Sequence, residues 1–275
     1  MSEGNKKIRE GRYCVKKLKF GYHMKLTFSG AVNNHRFSLK CIPHDTDMQR
    51  IEGMEVSVYP DHITSENTDS YGNITLFGYT NEYHNSFGFD VTGIATTGIS
   101  EYENSQELHR VGMFRYQTYV TRPGIGIYDF YKKLNLSDFQ TTKDKALHIM
   151  DRLSSSFHYV QGCTCMETTA EEAFAGGTGV CQDYAHIMLS LCRMEKIPCR
   201  YVTGMMVGEG SSHAWVEIWD DCKWIGFDPT NTKMVDDEYI KISNGRDFAD
   251  CLVNQGIFTG NVTQKQEISV IVEEM

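Results

Sequence analysis

The chain runs to 275 residues, of which 40% are hydrophobic, 12% aromatic and 23% charged, a composition that excludes collagen, coiled coil and wholesale disorder. Its 27 Lys and Arg against 36 Asp and Glu leave a net charge of −9, the wrong sign for tracking nucleic-acid phosphates or an anionic membrane surface, so neither partner is expected. The length suits one large or two medium domains, each with a core of its own.

From Met1 to Phe20, Lys and Arg alternate with polar residues and no apolar h-region follows, so no signal peptide is expected. No run approaches the roughly 18 apolar residues of a membrane span. The nine cysteines, an odd number, read as reduced thiols in a cytoplasmic protein rather than as a disulfide framework. Residues 22–119 then alternate short β-branched and aromatic runs with turn signals. Met24–Phe28, Arg36–Ile42, Glu55–Tyr59, Ile74–Tyr79, Gly88–Ile94 and Val111–Val120 are the expected strands. Ser29-Gly30, Asn33-Asn34, Pro60-Asp61 and Tyr71-Gly72-Asn73 are among the expected turns, and the pattern predicts an antiparallel β-sandwich.

Arg122-Pro123-Gly124-Ile125-Gly126 punctuates the chain and sets the expected boundary between a β-rich domain, 1–124, and a second domain, 125–275. Ala146, Met150, Leu153, Phe157 and Val160 form one helical stripe, and Val180, Tyr184, Ile187, Leu191 and Met194 another. Strand patterns return at Cys199–Val207, His213–Trp219, Cys222–Phe227 and Ile268–Val272. Helices followed by an antiparallel sheet make this half, and the chain as a whole, α+β.

The second helix opens on Cys181 after a glycine-rich turn. The first turn of a helix offers unpaired N–H groups and a positive dipole end, a setting that favours thiolate and holds an oxyanion. Against this stands the commoner fate of a free cysteine, which is inert burial. His213, Trp215, Glu217 and Trp219 share one strand face; if Asp220-Asp221 is the hairpin loop, His213 lies directly opposite Asp228. Cys181, His213 and Asp228 then supply a nucleophile, a base and an orienting carboxylate for attack on an amide carbonyl. Cys163-x-Cys165, with Cys181 and His186, matches no standard zinc spacing, so no metal or other cofactor is expected.

These residues carry a resemblance. Gly179-Val180-Cys181-Gln182-Asp183-Tyr184-Ala185, Pro198-Cys199-Arg200-Tyr201-Val202-Thr203-Gly204, His213-Ala214-Trp215-Val216-Glu217 and Phe227-Asp228-Pro229-Thr230-Asn231 resemble, in order, the motifs of the transglutaminase-like superfamily. The resemblance implies a papain-like core with Cys181, His213 and Asp228 as its triad. The preceding chain, with Phe28-Ser29-Gly30 and Tyr71-Gly72-Asn73, resembles the N-terminal β domain of bacterial members, which are described as cysteine proteases. The protein-crosslinking members carry a tryptophan upstream of the cysteine, whereas all three tryptophans here lie downstream. Tyr159, Gln161 or Gln182 would have to support the oxyanion instead. Trp215 is a candidate cleft wall, and Arg246 a candidate for recognising a substrate carboxylate, against an ion pair with the acids around it. No calcium loop is visible. The resulting expectation is an amide or peptide hydrolase acting through a thioester. The alternatives are glutamine–amine acyl transfer through the same triad, and a non-catalytic binding protein on this fold.

Overall fold

The computed structural model describes residues 14–60, 63–99 and 111–275. The basic start of the chain, up to residue 13, lies outside them. The fold is α+β, in two compact units that interleave along the sequence. Of the described residues, those within 14–99, 202–213 and 237–275 make a β unit, and those within 111–201 and 214–236 make a mixed unit. The division therefore departs from a single boundary at 124, because the C-terminal strands pair with the N-terminal ones.

The β unit is organised by one strand. β1 (Lys16–Leu39) runs 24 residues and alternates buried and exposed side chains, with Leu18, Phe20, Tyr22, Met24 and Leu26 all turned into the core. The turns expected at Ser29-Gly30 and Asn33-Asn34 do not form; the chain bends there without reversing, and the ladder with β5 shifts register between Thr27 and Val32. The bend lets β1 serve two sets of partners. β2 (Gln49–Tyr59), β3 (Ile63–Thr68), β4 (Ile74–Thr80) and β5 (His84–Thr97) follow. The first part of β1 pairs with β5, and its second part with β4.

The mixed unit starts with a departure. The strand expected over Val111–Val120 is a 3-10 turn, Gly112–Arg115, followed by irregular chain. This segment and Thr121 after it bond to a helix rather than to a sheet: Arg193 Nε donates to Phe114 O and Arg193 Nη1 to Thr121 Oγ1, while Gln117 Nε2 donates to Ser190 O. α1 (Ile125–Lys133), α2 (Thr142–Ser154), β6 (His158–Tyr159), α3 (Ala170–Gly176), β7 (Thr178–Gly179) and α4 (Cys181–Met194) come next. Glu171 fastens the start of α1, its carboxylate accepting from Gly124 N, Gly126 N and Ile127 N at 2.7–3.0 Å. α2 stops before Phe157, which leaves the helical stripe to pack edge-on against Tyr184 and to accept from Tyr184 Oη at 2.7 Å through its carbonyl. Val160, expected on that same stripe, is exposed.

β8 (Cys199–Met206), β9 (Gly208–Gly210), β10 (His213–Asp220), β11 (Lys223–Asp228), β12 (Lys233–Met234), β13 (Tyr239–Gly245), β14 (Asn254–Thr259) and β15 (Gln264–Glu274) complete the chain. β12, β11, β10 and β8 lie side by side in that order. The first residue of β10 and the latter part of β8 belong to the β unit. There the order is β2-β5-β1-β15-β9, with β14 on the later part of β1. Asn244 and Gly245 are buried residues of β13, where Asn244 N donates to Asn73 Oδ1 at 2.8 Å.

Candidate active site

Cys181 is the first residue of α4 and is half-buried. The chain reaches it through β7, which lies parallel to β6 with Tyr159 beside Gly179. The helix start is fixed by Asp183, whose Oδ2 accepts from Val180 N at 2.8 Å and from Thr164 Oγ1 at 2.7 Å. Capping of this kind contributes about 1 kcal/mol. Asp183 is itself buried, and burial holds its carboxyl above the usual range although both hydrogen bonds pull the other way. Gly179 has to be glycine: a Cβ there would stand 2.6 Å from Asp183 Oδ2. The helix-start cysteine was legible in the sequence, but the clamp made by Thr164 and Asp183 was missed; an acid three residues beyond the helix boundary was its signal.

Asp228 ends β11 with 0% exposure. Its Oδ1 accepts from Thr230 N at 3.0 Å and Asn231 N at 3.1 Å, and its Oδ2 accepts from Asn231 Nδ2 at 2.7 Å. The Asp-Pro-Thr-Asn segment is thus a turn that closes on its own first side chain, which fixes the carboxylate and offsets its desolvation. The hairpin before it differs from expectation by one step. Asp221 and Cys222, both at positive φ, form the two-residue loop, and Asp220 pairs with Lys223. That left-handed pair is the backbone a tight hairpin requires. The ladder pairs Trp219 with Trp224 and Val216 with Phe227, and its continuation sets Asp228 across from Trp215 rather than His213.

His213 opens β10 and is half-buried, with its ring 6.2 Å from that of Tyr239. Trp215, expected at a cleft wall, is 1% exposed and is core. Tyr159 is exposed, and Gln161 Nε2 approaches its hydroxyl at 3.5 Å. Gln182, half-buried, donates through Nε2 to Met166 O at 3.3 Å. Arg246 is held by Asp250: Nε donates to Oδ2 at 2.8 Å and Nη2 to Oδ1 at 3.0 Å, so its fork is already engaged. His186 is buried against Tyr201. Among the described residues no group of three or more His, Cys, Asp or Glu is placed to hold a metal ion, and no helix is long and apolar enough to cross a membrane.

A helix that opens on a cysteine, a hairpin that opens on His213 and ends on Asp228, and a β unit built on β1 are the elements of a transglutaminase-like fold. The chain carries a transglutaminase-like core: residues 134–229 match the transglutaminase-like superfamily, and residues 18–96 match the bacterial transglutaminase-like N-terminal region. A crystal structure described as "a Putative Cysteine Protease from Cytophaga hutchinsonii" has the same fold, with a TM-score of 0.76 over 95% of this chain and 91% of that one at 22% identity. An uncharacterized protein of Mycobacterium leprae is 36% identical over 129 residues, which are 43% of this chain and 45% of that one. One of Mycobacterium tuberculosis is 26% identical over 265 residues, 84% of each.

Proposed function

We propose that the protein is a cysteine-dependent amide hydrolase acting on peptides, with Cys181 as nucleophile, His213 as its base and Asp228 orienting that histidine. The observation that carries this reading is the position of Cys181 on the first turn of α4, clamped by Asp183, in a chain that carries a transglutaminase-like core. Cys181 Sγ attacks the carbonyl carbon, and His213 takes the thiol proton and returns it to the leaving amine. Water activated by the same imidazole then resolves the thioester. In this reading the N–H groups at the start of α4 hold the developing oxyanion, and we assign the Tyr159 phenol to join them; the pairing of its strand with Gly179 supports that choice. His213 and Trp215 share a face of β10, and continuing the hairpin register would set Trp215 across from Asp228, which supports pairing His213 with that carboxylate.

Intact-mass analysis of a peptide mixture incubated with the protein, with and without glycine methyl ester, tests this. New fragments that disappear with Cys181→Ala establish hydrolysis. Amine adducts without fragmentation replace it with acyl transfer at glutamine. Iodoacetamide at pH 6–7 is expected to label half-buried Cys181 ahead of the more exposed Cys14, Cys163, Cys165 and Cys222. Faster labelling at any of those four would remove Cys181 as the activated thiol.

A further inference from the structure

The turn that follows β6 carries two exposed thiols, Cys163 and Cys165, for which acyl transfer has no use. Hydrogen bonds fasten this turn to the residues on both sides of Cys181. Before Cys181, Val160 N donates to Gly179 O at 2.9 Å, and Cys163 Sγ donates to the carbonyl of the same Val160 at 3.1 Å. After it, Thr164 Oγ1 donates to Asp183 Oδ2 at 2.7 Å, and Gln182 Nε2 reaches Met166 O at 3.3 Å. Val160, whose carbonyl takes the Cys163 thiol, is therefore tied to the residue two before Cys181, and Thr164 to the residue two after it. Tyr159 and Gly179 are paired across β6 and β7, where strands lie about 4.8 Å apart, so the turn that carries Cys163 starts beside the residue two before Cys181. A disulfide between Cys163 and Cys181 requires a Cα separation of about 4.4–6.8 Å. Cys165 is turned elsewhere, with its N and Sγ against Thr168 Oγ1 at 2.9 and 3.4 Å. The other thiols of the mixed unit's interior, Cys192 and Cys199, are buried.

We infer that Cys163 is a resolving thiol for Cys181: a hydroperoxide oxidises Cys181, and Cys163 captures the product as a Cys163–Cys181 disulfide that reversibly switches the nucleophile off. The inference rests on the reading of Cys181 as a reactive thiolate. In the first step Cys181 Sγ attacks the peroxide, forming an S–O bond as the O–O bond breaks, and the departing alkoxide or hydroxide takes up a proton. In the second, Cys163 Sγ attacks the Cys181 sulfenic sulfur; the S–S bond forms, the S–O bond breaks, and hydroxide leaves with the proton of Cys163 as water. Two thiols lose two electrons, and the hydroperoxide gains them. Without Cys163 the sulfenic acid is left to a second equivalent of peroxide, which carries it to sulfinic acid beyond the reach of thiol reductants.

The test uses the full chain, tert-butyl hydroperoxide and iodoacetamide. Labelling of Cys181 before oxidation is scored first, because failure there sinks the nucleophile and the switch together. After oxidation and blocking of free thiols, proteolysis at Glu167, Glu171 or Glu172 separates the two cysteines, so the disulfide survives as two joined fragments. The expected result is a Cys163–Cys181 pair whose dithiothreitol treatment restores labelling of Cys181. In Cys163→Ser, initial labelling is expected to persist while the labelling recoverable after oxidation falls at least roughly fivefold, with sulfinic acid at Cys181. Cys165→Ser is expected to behave as the unaltered chain. Equal recovery in the unaltered chain and Cys163→Ser, or a pair formed with Cys165 or between two chains, would overturn the switch and leave the hydrolase reading intact.

Discussion

The carboxylate of Asp228 illustrates how a single residue can be costly and useful at once. It is fully buried, and three donors, two of them backbone, hold it in one orientation. Under the proposed chemistry that orientation sets the tautomer of His213. Asp228→Asn keeps an oxygen for the two backbone donors but turns a second N–H toward Asn231, so turnover is expected to fall by on the order of 10³–10⁴ while the fold persists. Asn231→Ala removes one charge-assisted hydrogen bond, a loss of about 1.5–3 kcal/mol in its effect on the carboxylate, and turnover should fall by roughly 10–100-fold. Steady-state kinetics beside urea unfolding curves check both. Turnover in Asp228→Asn equal to that of the unaltered chain would take Asp228 out of the mechanism.

At the scale of elements, the β unit contains a buried histidine pair whose protonation is expected to cost stability as pH falls. His35 on β1 and His84 on β5 stack with ring centroids 5.3 Å apart, and His35 Nδ1 lies 3.1 Å from His84 Nε2. Phe28, Phe37, Phe87 and Phe258 surround His35, and His84 Nδ1 lies 3.0 Å from Glu82 O. Burial, with the charge of His84 adding to it, lowers the His35 pKa to about 4 from the ordinary 6.5. A depressed histidine binds fewer protons folded than unfolded, so its contribution is complete above 6.5 and is lost as pH falls toward 4. The loss is on the order of 3 kcal/mol across that window. Urea midpoints measured at several pH values from 7 to 4 should fall, and His35→Phe should flatten that part of the profile. An unchanged slope in the variant would assign the acid sensitivity to other groups.

Elements also show what the sequence makes legible. The stripe of Tyr184, Ile187 and Leu191 marks α4, because a buried helix face repeats over several turns. Phe157 obeyed the same period yet left its helix, since a buried partner in Tyr184 outweighs local propensity. The hairpin loop was displaced by one residue because Asp221-Cys222 is an unfamiliar left-handed pair, with no glycine to announce it. Gly179 and Cys181 were readable as local chemistry. The Thr164–Asp183 clamp was not, for it joins residues 19 positions apart that only the fold brings together.

Across the whole molecule, the first and last long strands are neighbours. β1 and β15 share an antiparallel ladder from Leu18↔Glu274 to Phe28↔Gln264, with Val270 and Val272 buried and Lys19↔Glu273 and Lys25↔Glu267 opposed on the other face. The apolar alternation fixes which face of β15 turns inward, and the opposed charges favour this register over a slip by one residue, which would expose both valines. β15 also lies between β1 and β9, so its removal strips the pairing edge of two strands. Deleting residues 264–275 is therefore expected to abolish the cooperative urea transition of the β unit and to raise binding of a hydrophobic dye. Val272→Asp keeps the chain length but buries a lone carboxylate, and should lower stability by more than about 3 kcal/mol. A truncated chain that still unfolds cooperatively at the original midpoint would show that β15 is an accessory strand; loss of the transition would mean that residues 125–275 do not form a self-sufficient half, since β13, β14 and β15 belong with the N-terminal strands.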